Sequence, residues 1–327
     1  MSGVNMIEVK SLRKEFKTKF GNLVAVDDVN FAIKKGEIFG LVGESGSGKS
    51  TIGSMIVGAY GATSGSITFH GDTDISKDSK FRPHALKQKI QLVFQDPGGS
   101  LNPRKTIRQI LSVPLELYSD KKLSRAETDA LIAEALKQVG LPLSYMDKYP
   151  KAIGGGEKQL VCVARALVAN PDFIVLDEPT SALDVSIQAK ITNKLIDLQQ
   201  KNNLSYLFIT HNLCLVRNMC TRLAVMYLGN ICEYADTAEF FDNPRHPYTQ
   251  MLLASIPVLS DEEESCKPQR IKSVGEIPSP LNKPTGCSFH PRCPYKKDIC
   301  SREVPPMREV REGHFVCCHC WDSLDRG

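Results

Sequence analysis

The stretches IEVKSLRKEF and LVAVDDVNFAI alternate apolar and polar residues, with Val24 and Val26 two positions apart, the period of strands that bury one face. IFGLVG follows as a short unbroken apolar run, the pattern of a strand covered on both faces. From Gly48 the period lengthens to that of a helix, through Met55 to Val57, and SITFH and IQLVF are two more strand candidates. From about residue 96 to 170 helical patterns dominate. Ser124 and Glu127 have capping-box spacing ahead of Leu131, Ala135, Leu136 and Val139, so a helical subdomain inserted into a sheet domain is expected.

A helix over about 157–168, the strand FIVLDE, a helix across Ile187, Ile191, Leu195 and Leu198, and the strand YLFIT come next. Strands alternating with helices predict an α/β fold with a mostly parallel core sheet. Residues 223–228 and 231–234, joined by Gly229-Asn230, read as a hairpin at that sheet's edge. Beyond residue 256 the periodicity fades. DEEESCKPQR is charged and prolines recur, so residues 257–327 form an extension that cannot build a large core alone and is either disordered or stapled. The expected division is therefore 1–256 and 257–327.

Composition narrows the function classes. Over 327 residues, 42% apolar and 24% charged is a globular balance, and a net charge of +4 gives no basis for a nucleic-acid partner. No run of about 18 apolar residues appears, and the first ten residues do not resemble a secretion signal. The chain is expected in the cytoplasm, with any membrane role requiring a separate spanning partner. Eleven cysteines are unevenly placed: none precedes Cys162, while Cys287, Cys293, Cys300, Cys317, Cys318 and Cys320 crowd the end. In a reducing compartment such clustering suggests metal before disulfides. Cys162, Cys214, Cys220 and Cys232 lie among apolar residues and read as small core residues.

The most specific signal is Gly43-Glu44-Ser45-Gly46-Ser47-Gly48-Lys49-Ser50, which fits G-x-x-x-x-G-K-[ST] between a strand and a helix. Glycines let backbone N–H groups turn toward phosphate oxygens, and the helix start presents its positive end. Lys49 is placed to reach the outer phosphates of ATP and Ser50 to ligate Mg²⁺. The run FIVL delivers Asp177 and Glu178 at a strand's carboxyl end, where ligands of open parallel sheets bind. Asp177 suits the Mg²⁺ shell and Glu178 the polarisation of an attacking water. Gln95 and His211 also end strands, adding polar groups at the same edge.

These residues together resemble the ATPase subunits of ABC transporters, in the family's order from about residue 7 to 253. The resemblance implies a P-loop ATPase domain with an antiparallel β subdomain beside its core sheet, and ATP hydrolysis coupled to transport. It implies nucleotide contacts from residues 43–50 and Thr51, adenine stacking on Phe20, and Gln95 linking Mg²⁺ to the membrane partner. Glu178 becomes the catalytic carboxylate and His211 the sensor of the outer phosphate. Gly154-Gly155-Gly156-Glu157 stands at the signature that completes a partner's ATP site, and Ser181-Ala182-Leu183-Asp184 at the dimer-contacting loop.

The pattern departs from the family at two places: Gly154 replaces the signature serine, and Leu160 the usual arginine. An asymmetric pair is expected from this, with this chain's own phosphate loop in the competent site. His246-Pro247-Tyr248-Thr249 and the ending Gly286-Cys287, His290-Pro291-Arg292-Cys293-Pro294, Cys300, Gly313-His314 and Cys318-His319 are similar to the oligopeptide and dipeptide importer branch. That resemblance implies two membrane-spanning permease subunits, a second and commonly different ATPase subunit, and indirectly a substrate-binding protein. The chain would sit peripherally on the cytoplasmic face of the membrane. Nickel or sugar import, and a soluble ABC-type ATPase, are the alternatives.

Cys287, Cys293, Cys300 and Cys318 lack the C-x₂₋₄-C spacing of zinc sites among the first three, and their wider spacing suits a [4Fe–4S] cluster. Zn²⁺ is the alternative, and free or disulfide-bonded thiols are the third reading. Cys317 and Cys320 compete with Cys318 for the fourth position.

Overall fold

The computed structural model describes residues 5–119, 121–256 and 275–323. Its strands are β1 Asn5–Thr18, β2 Gly21–Lys34, β3 Ile38–Val42, β4 Ser64–Phe69, β5 Thr73–Asp74 and β6 Ile90–Val93. They continue with β7 Phe173–Asp177, β8 Ser205–Thr210, β9 Arg222–Tyr227, β10 Asn230–Asp236, β11 Arg308–Arg311 and β12 His314–Val316. A four-stranded antiparallel sheet has the order β2-β1-β4-β5. An eight-stranded sheet has the order β11-β12-β10-β9-β3-β8-β7-β6, parallel from β9 to β6 and antiparallel beyond.

The unbroken apolar run of β3 is explained by its two covered faces. Phe39 and Leu41 pack with Ile52, Met55 and Ile56 of the helix Lys49–Val57 and with Val9, Val29 and Ile67 of the antiparallel sheet. Ile38 and Val42 face the other core, which holds Leu176, Phe208, Val225 and the helical subdomain. The registers Val42↔Thr210 and Leu176↔Phe208 bring the carboxyl ends of β3, β7 and β8 level. That edge is where the polar strand-end residues gather.

The subdomain is built on the helices Ile107–Tyr118, Arg125–Val139 and Gly155–Leu167. The capping box at Ser124 and Glu127 forms as its spacing predicts, and a second one at Thr106 and Gln109 starts the preceding helix.

Two expectations need correction. The hairpin turns on Leu228 and Gly229, with φ of 44° and 86°, rather than on Gly229-Asn230, because Asn230 already pairs with Tyr227. Nor does the hairpin lie at the edge. β12 pairs with β10 through Glu233↔Val316 and Tyr234↔Phe315, and β11 pairs with β12 beyond it. A three-residue strand between a Gly313 turn and a cysteine pair is too short for alternation to announce it. Cys214 is the other correction: it is exposed, because Leu213, Val216 and Met219 take the buried face of its helix. Cys162, Cys220 and Cys232 are buried.

The extension is fastened by polar contacts more than by a core of its own. Its apolar cluster is small: Cys300, Val316, Cys318 and Cys320 with Cys287, Val310 and Trp321 against them. His314 Nε2 lies 2.7 Å from Glu233 Oε1, both fully buried, and its Nδ1 lies 3.2 Å from Glu239. The Cys317 N–H donates to the Cys232 carbonyl at 2.8 Å, and Lys283 reaches Asp27 at 2.9 Å.

Candidate nucleotide site

The loop after β3 needs glycine where the backbone crowds. Gly43 has φ of 150° and a Cβ there would stand 2.2 Å from the Met226 carbonyl oxygen; Gly48 has φ of 105° and its Cβ would stand 2.3 Å from that of Ala25. No side chain fits either place, so the loop lies against β2 and β9 and leads into the helix at Lys49. Lys49 is buried, its Nζ donating to the carbonyls of Gly43 at 2.7 Å and Glu44 at 2.9 Å and to Ser47 Oγ at 3.3 Å. Burial pulls its pKa down, while Glu178, Asp177 and Glu44 oppose that shift. An ammonium so desolvated gains from an anion set beside it.

Ser50 Oγ donates to Asp177 Oδ1 at 2.9 Å, joining the two residues that sequence marks for Mg²⁺. Burial raises the Asp177 pKa, against the pull of Ser50 and Lys49. A divalent cation reverses that penalty, and paired hydroxyl and carboxylate oxygens are the hard donors Mg²⁺ takes. The donor set therefore fits the ion.

Glu178 follows Asp177 with φ of 46°, in the left-handed region, and its N–H donates to the Ile209 carbonyl at 2.9 Å. Gln95 Nε2 donates to Glu178 Oε2 at 3.0 Å, and His211 Nδ1 lies 3.3 Å from Glu178 Oε1. Three strand ends thus converge on one carboxylate. Gln95 is placed on Glu178 rather than on the Ser50–Asp177 pair. Phe20 sits in the β1–β2 turn, 86% exposed and available for stacking.

Gly154 is the N-cap of the helix Gly155–Leu167, and its N–H donates to Glu157 Oε2 at 2.7 Å. Tyr145 OH also donates to Glu157, whose pKa is lowered first by that bond and then by the Gly154 N–H. Of the signature N–H groups, that of Gly154 is therefore committed within the chain. Gly156 is required by packing: a Cβ there would stand 2.6 Å from Ile187 Cγ2. Ser181 Oγ donates to the Glu178 carbonyl at 3.2 Å, Leu183 approaches Gly155, and Asp184 caps the helix Val185–Asn202 by accepting the Ile187 N–H at 3.1 Å.

Cys287, Cys293, Cys300, Cys318 and Cys320 line one small pocket with His246, His290 and His319. Among the described residues no three His, Cys, Asp or Glu side chains stand grouped so as to hold a metal ion, which departs from the metal-site expectation. Burial pushes the Cys293 and Cys317 thiols up to about 12 and raises Cys287 and Cys318. Cys317 Sγ turns instead to the Pro305 carbonyl at 2.9 Å.

Sequence reasoning missed two residues of the phosphate loop's surroundings. Tyr248 OH accepts the Glu44 N–H at 3.0 Å, and Arg292 donates to both Glu44 carboxylate oxygens, at 2.9 and 3.3 Å. Both belong to the motifs H-P-Y-T and H-P-R-C-P, but nothing in their spacing points to residue 44.

Among known proteins, the family described as ABC transporter matches residues 26–181. The family described as Oligopeptide/dipeptide transporter, C-terminal region, matches residues 232–300. The oligopeptide transport ATP-binding protein AppF of Bacillus subtilis is 47% identical over 93% of this chain and 92% of its own length. A putative oligopeptide transport ATP-binding protein of the same organism, YkfD, is 42% identical over 99% of this chain and 98% of its own. A dimeric ATP-binding cassette solved in a post-hydrolysis state with ADP and Pi has a TM-score of 0.65 at 28% identity, covering 71% of this chain and 99% of its own. Near-full-length identity at this level, on a site with the parts of phosphoryl transfer, shows that the chain belongs to the ABC transporter family, as an ATP-hydrolysing ATP-binding protein of it.

Proposed function

We propose that the chain is the energy-coupling subunit of a membrane importer for oligopeptides or dipeptides. The observation that carries this is the near-full-length likeness to peptide transport ATP-binding proteins, which includes the extension as well as the ATPase domain. None of the described helices is long and apolar enough to cross a membrane, so the reading supplies two permease subunits and seats the chain on their cytoplasmic face. A second ATPase subunit closes the dimer. Deleting the chain's gene tests the cargo: loss of labelled di- and oligopeptide uptake is expected. Intact peptide uptake with lost nickel or sugar uptake would overturn it.

In this reading residues 43–50 cradle the triphosphate, Thr51 adds a further contact in the first helical turn, and Lys49 turns from its loop carbonyls to the outer phosphates. Ser50 and Asp177 would hold Mg²⁺, which would supply charge neutralisation for the outer phosphates. Glu178 polarises the attacking water. Gln95 and His211 fix the direction of its carboxylate, and His211 also meets the outer phosphate. Phe20 stacks on the adenine.

We also propose that the ATP site this chain completes with Gly154–Gly156 in its partner is the weaker of two. The missing serine hydroxyl and the committed Gly154 N–H support this. The hydroxyl's loss costs about 1.5–3 kcal/mol as a charge-assisted bond. In the natural pair Gly154→Ser should raise hydrolysis; unchanged activity would refute the asymmetry.

For the cysteine pocket we propose a [4Fe–4S] cluster on Cys287, Cys293, Cys300 and Cys318. The support is that all four line one small pocket, while a cubane takes its thiolates further apart than a single ion does. Anaerobically purified protein should be brown and carry about four irons per chain. Stoichiometric zinc without iron, or neither metal, would overturn it.

A further inference from the structure

Glu44 is the one carboxylate within the phosphate loop, and the chain grips it from two distant places. Its N–H donates to Tyr248 OH, and its carboxylate takes both terminal nitrogens of Arg292, 248 residues away. Arg292 is buried at 6% exposure, and its guanidinium also donates to Tyr227 OH at 3.5 Å and lies 5.8 Å from the Tyr227 and Phe289 rings. Tyr227, Tyr248 and Phe289 pack on one another with centroids 4.7 to 5.4 Å apart. A forked pair in such a setting fixes direction as well as charge.

The turn that carries Arg292 lies between two pocket cysteines. The His290 N–H donates to the Cys287 carbonyl at 3.0 Å, the Cys293 N–H to that of His290 at 3.3 Å, and the Cys287 N–H to that of Cys300 at 2.8 Å. The cysteine-lined extension thus delivers one cation to the phosphate loop. On the other side of Glu44, its carbonyl holds the Lys49 ammonium at 2.9 Å. An unpaired carboxylate here would stand beside both the cation that ATP needs and the triphosphate itself.

We propose that Arg292, assisted by Tyr248, is a positioning residue of the ATP site: it cancels the Glu44 charge and fixes the start of the phosphate loop, so the extension sets ATP affinity. This rests on residues 43–50 binding ATP, as the family membership implies. It adds a role for the extension in nucleotide binding, separate from cargo or cluster.

The test is the Kd of Mg-ATP for the full chain, wild type first. Absent wild-type binding would sink the reading of the site itself. Given wild-type binding, Arg292→Gln should weaken it at least about fivefold, since a like charge then faces the phosphates. Adding Glu44→Gln to Arg292→Gln should restore Kd to within about twofold, because the offending charge is gone. A purely structural Arg292 would show no such rescue. Arg292→Gln binding as tightly as wild type, or a double variant no tighter than the single, overturns the proposal. If Arg292→Gln does not yield folded protein, Arg292→Lys decides: it keeps charge without the fork and should weaken binding about two- to fivefold. An unchanged Kd there also overturns it.

Discussion

Arg82 holds the far end of the helix Lys49–Val57 that follows the phosphate loop, and its removal has a calculable cost. Its guanidinium donates to the Ile56 carbonyl at 2.6 Å, to Met55 at 2.8 Å, to Lys77 at 2.9 Å, and to Ile75. Met55 and Ile56 are in the last turn of Lys49–Val57, where carbonyls lack helical partners and a cation is favoured. Burial pulls the Arg82 pKa down to about 10, against Asp74 and Asp78, so it stays charged at neutral pH. In Arg82→Met, Met55 keeps the Gly58 N–H, and Lys77 lies near solvent. The loss falls on the Ile56 and Ile75 carbonyls, each costing about 1–3 kcal/mol when buried without a partner. Relief from burying a cation returns part of this, leaving about 2–4 kcal/mol. For a chain of 327 residues that is a fall in Tm of roughly 3–6 °C, read by calorimetry or dye melting. A Tm within about 2 °C of wild type would refute the capping argument.

Gly48→Ala should abolish ATP binding while the chain stays folded, because its Cβ would stand 2.3 Å from the Ala25 carbonyl oxygen at φ of 105°. A Kd within about twofold of wild type contradicts the loop packing. His246 is fully buried, and desolvation depresses its pKa to about 4 despite Glu233 and the Cys317 backbone. The unfolded chain takes a proton near pH 6.5 that the folded one refuses, so stability present above that pH is lost as pH falls toward 4. Between pH 7 and 5 the loss from this group is about 2 kcal/mol. The His246→Asn protein, which keeps a side-chain acceptor for the Tyr248 N–H, should show a shallower decline in urea unfolding. Parallel curves would count against it.

Local patterns carried most of the ATP site into view. Gly43 to Ser50 lie in one short segment, and Asp177, Glu178 and His211 end apolar runs, so the carboxyl-end rule for parallel strands set them on one edge. What stayed hidden was contact between segments. β12 is too short to show a period, yet it carries the extension onto β10 through His314 and Glu233. Arg292 meets Glu44 because the extension folds back so that Phe289 packs on Tyr227 of β9 and on Tyr248, a tertiary fact with no local trace. Cys214 was misplaced for a related reason: helical phase, not apolar neighbours, decides which side faces in.

We propose that Glu178 directs the attacking water as this site splits ATP. The most direct measurement is the turnover of the Glu178→Gln chain in the assembled transporter, beside its Kd for Mg-ATP. The substitution preserves size and removes the basic oxygen, so turnover should fall about 10²–10⁴-fold while ATP affinity stays within about threefold of wild type. Turnover above about a tenth of wild type would contradict the assignment of Glu178 to the chemical step.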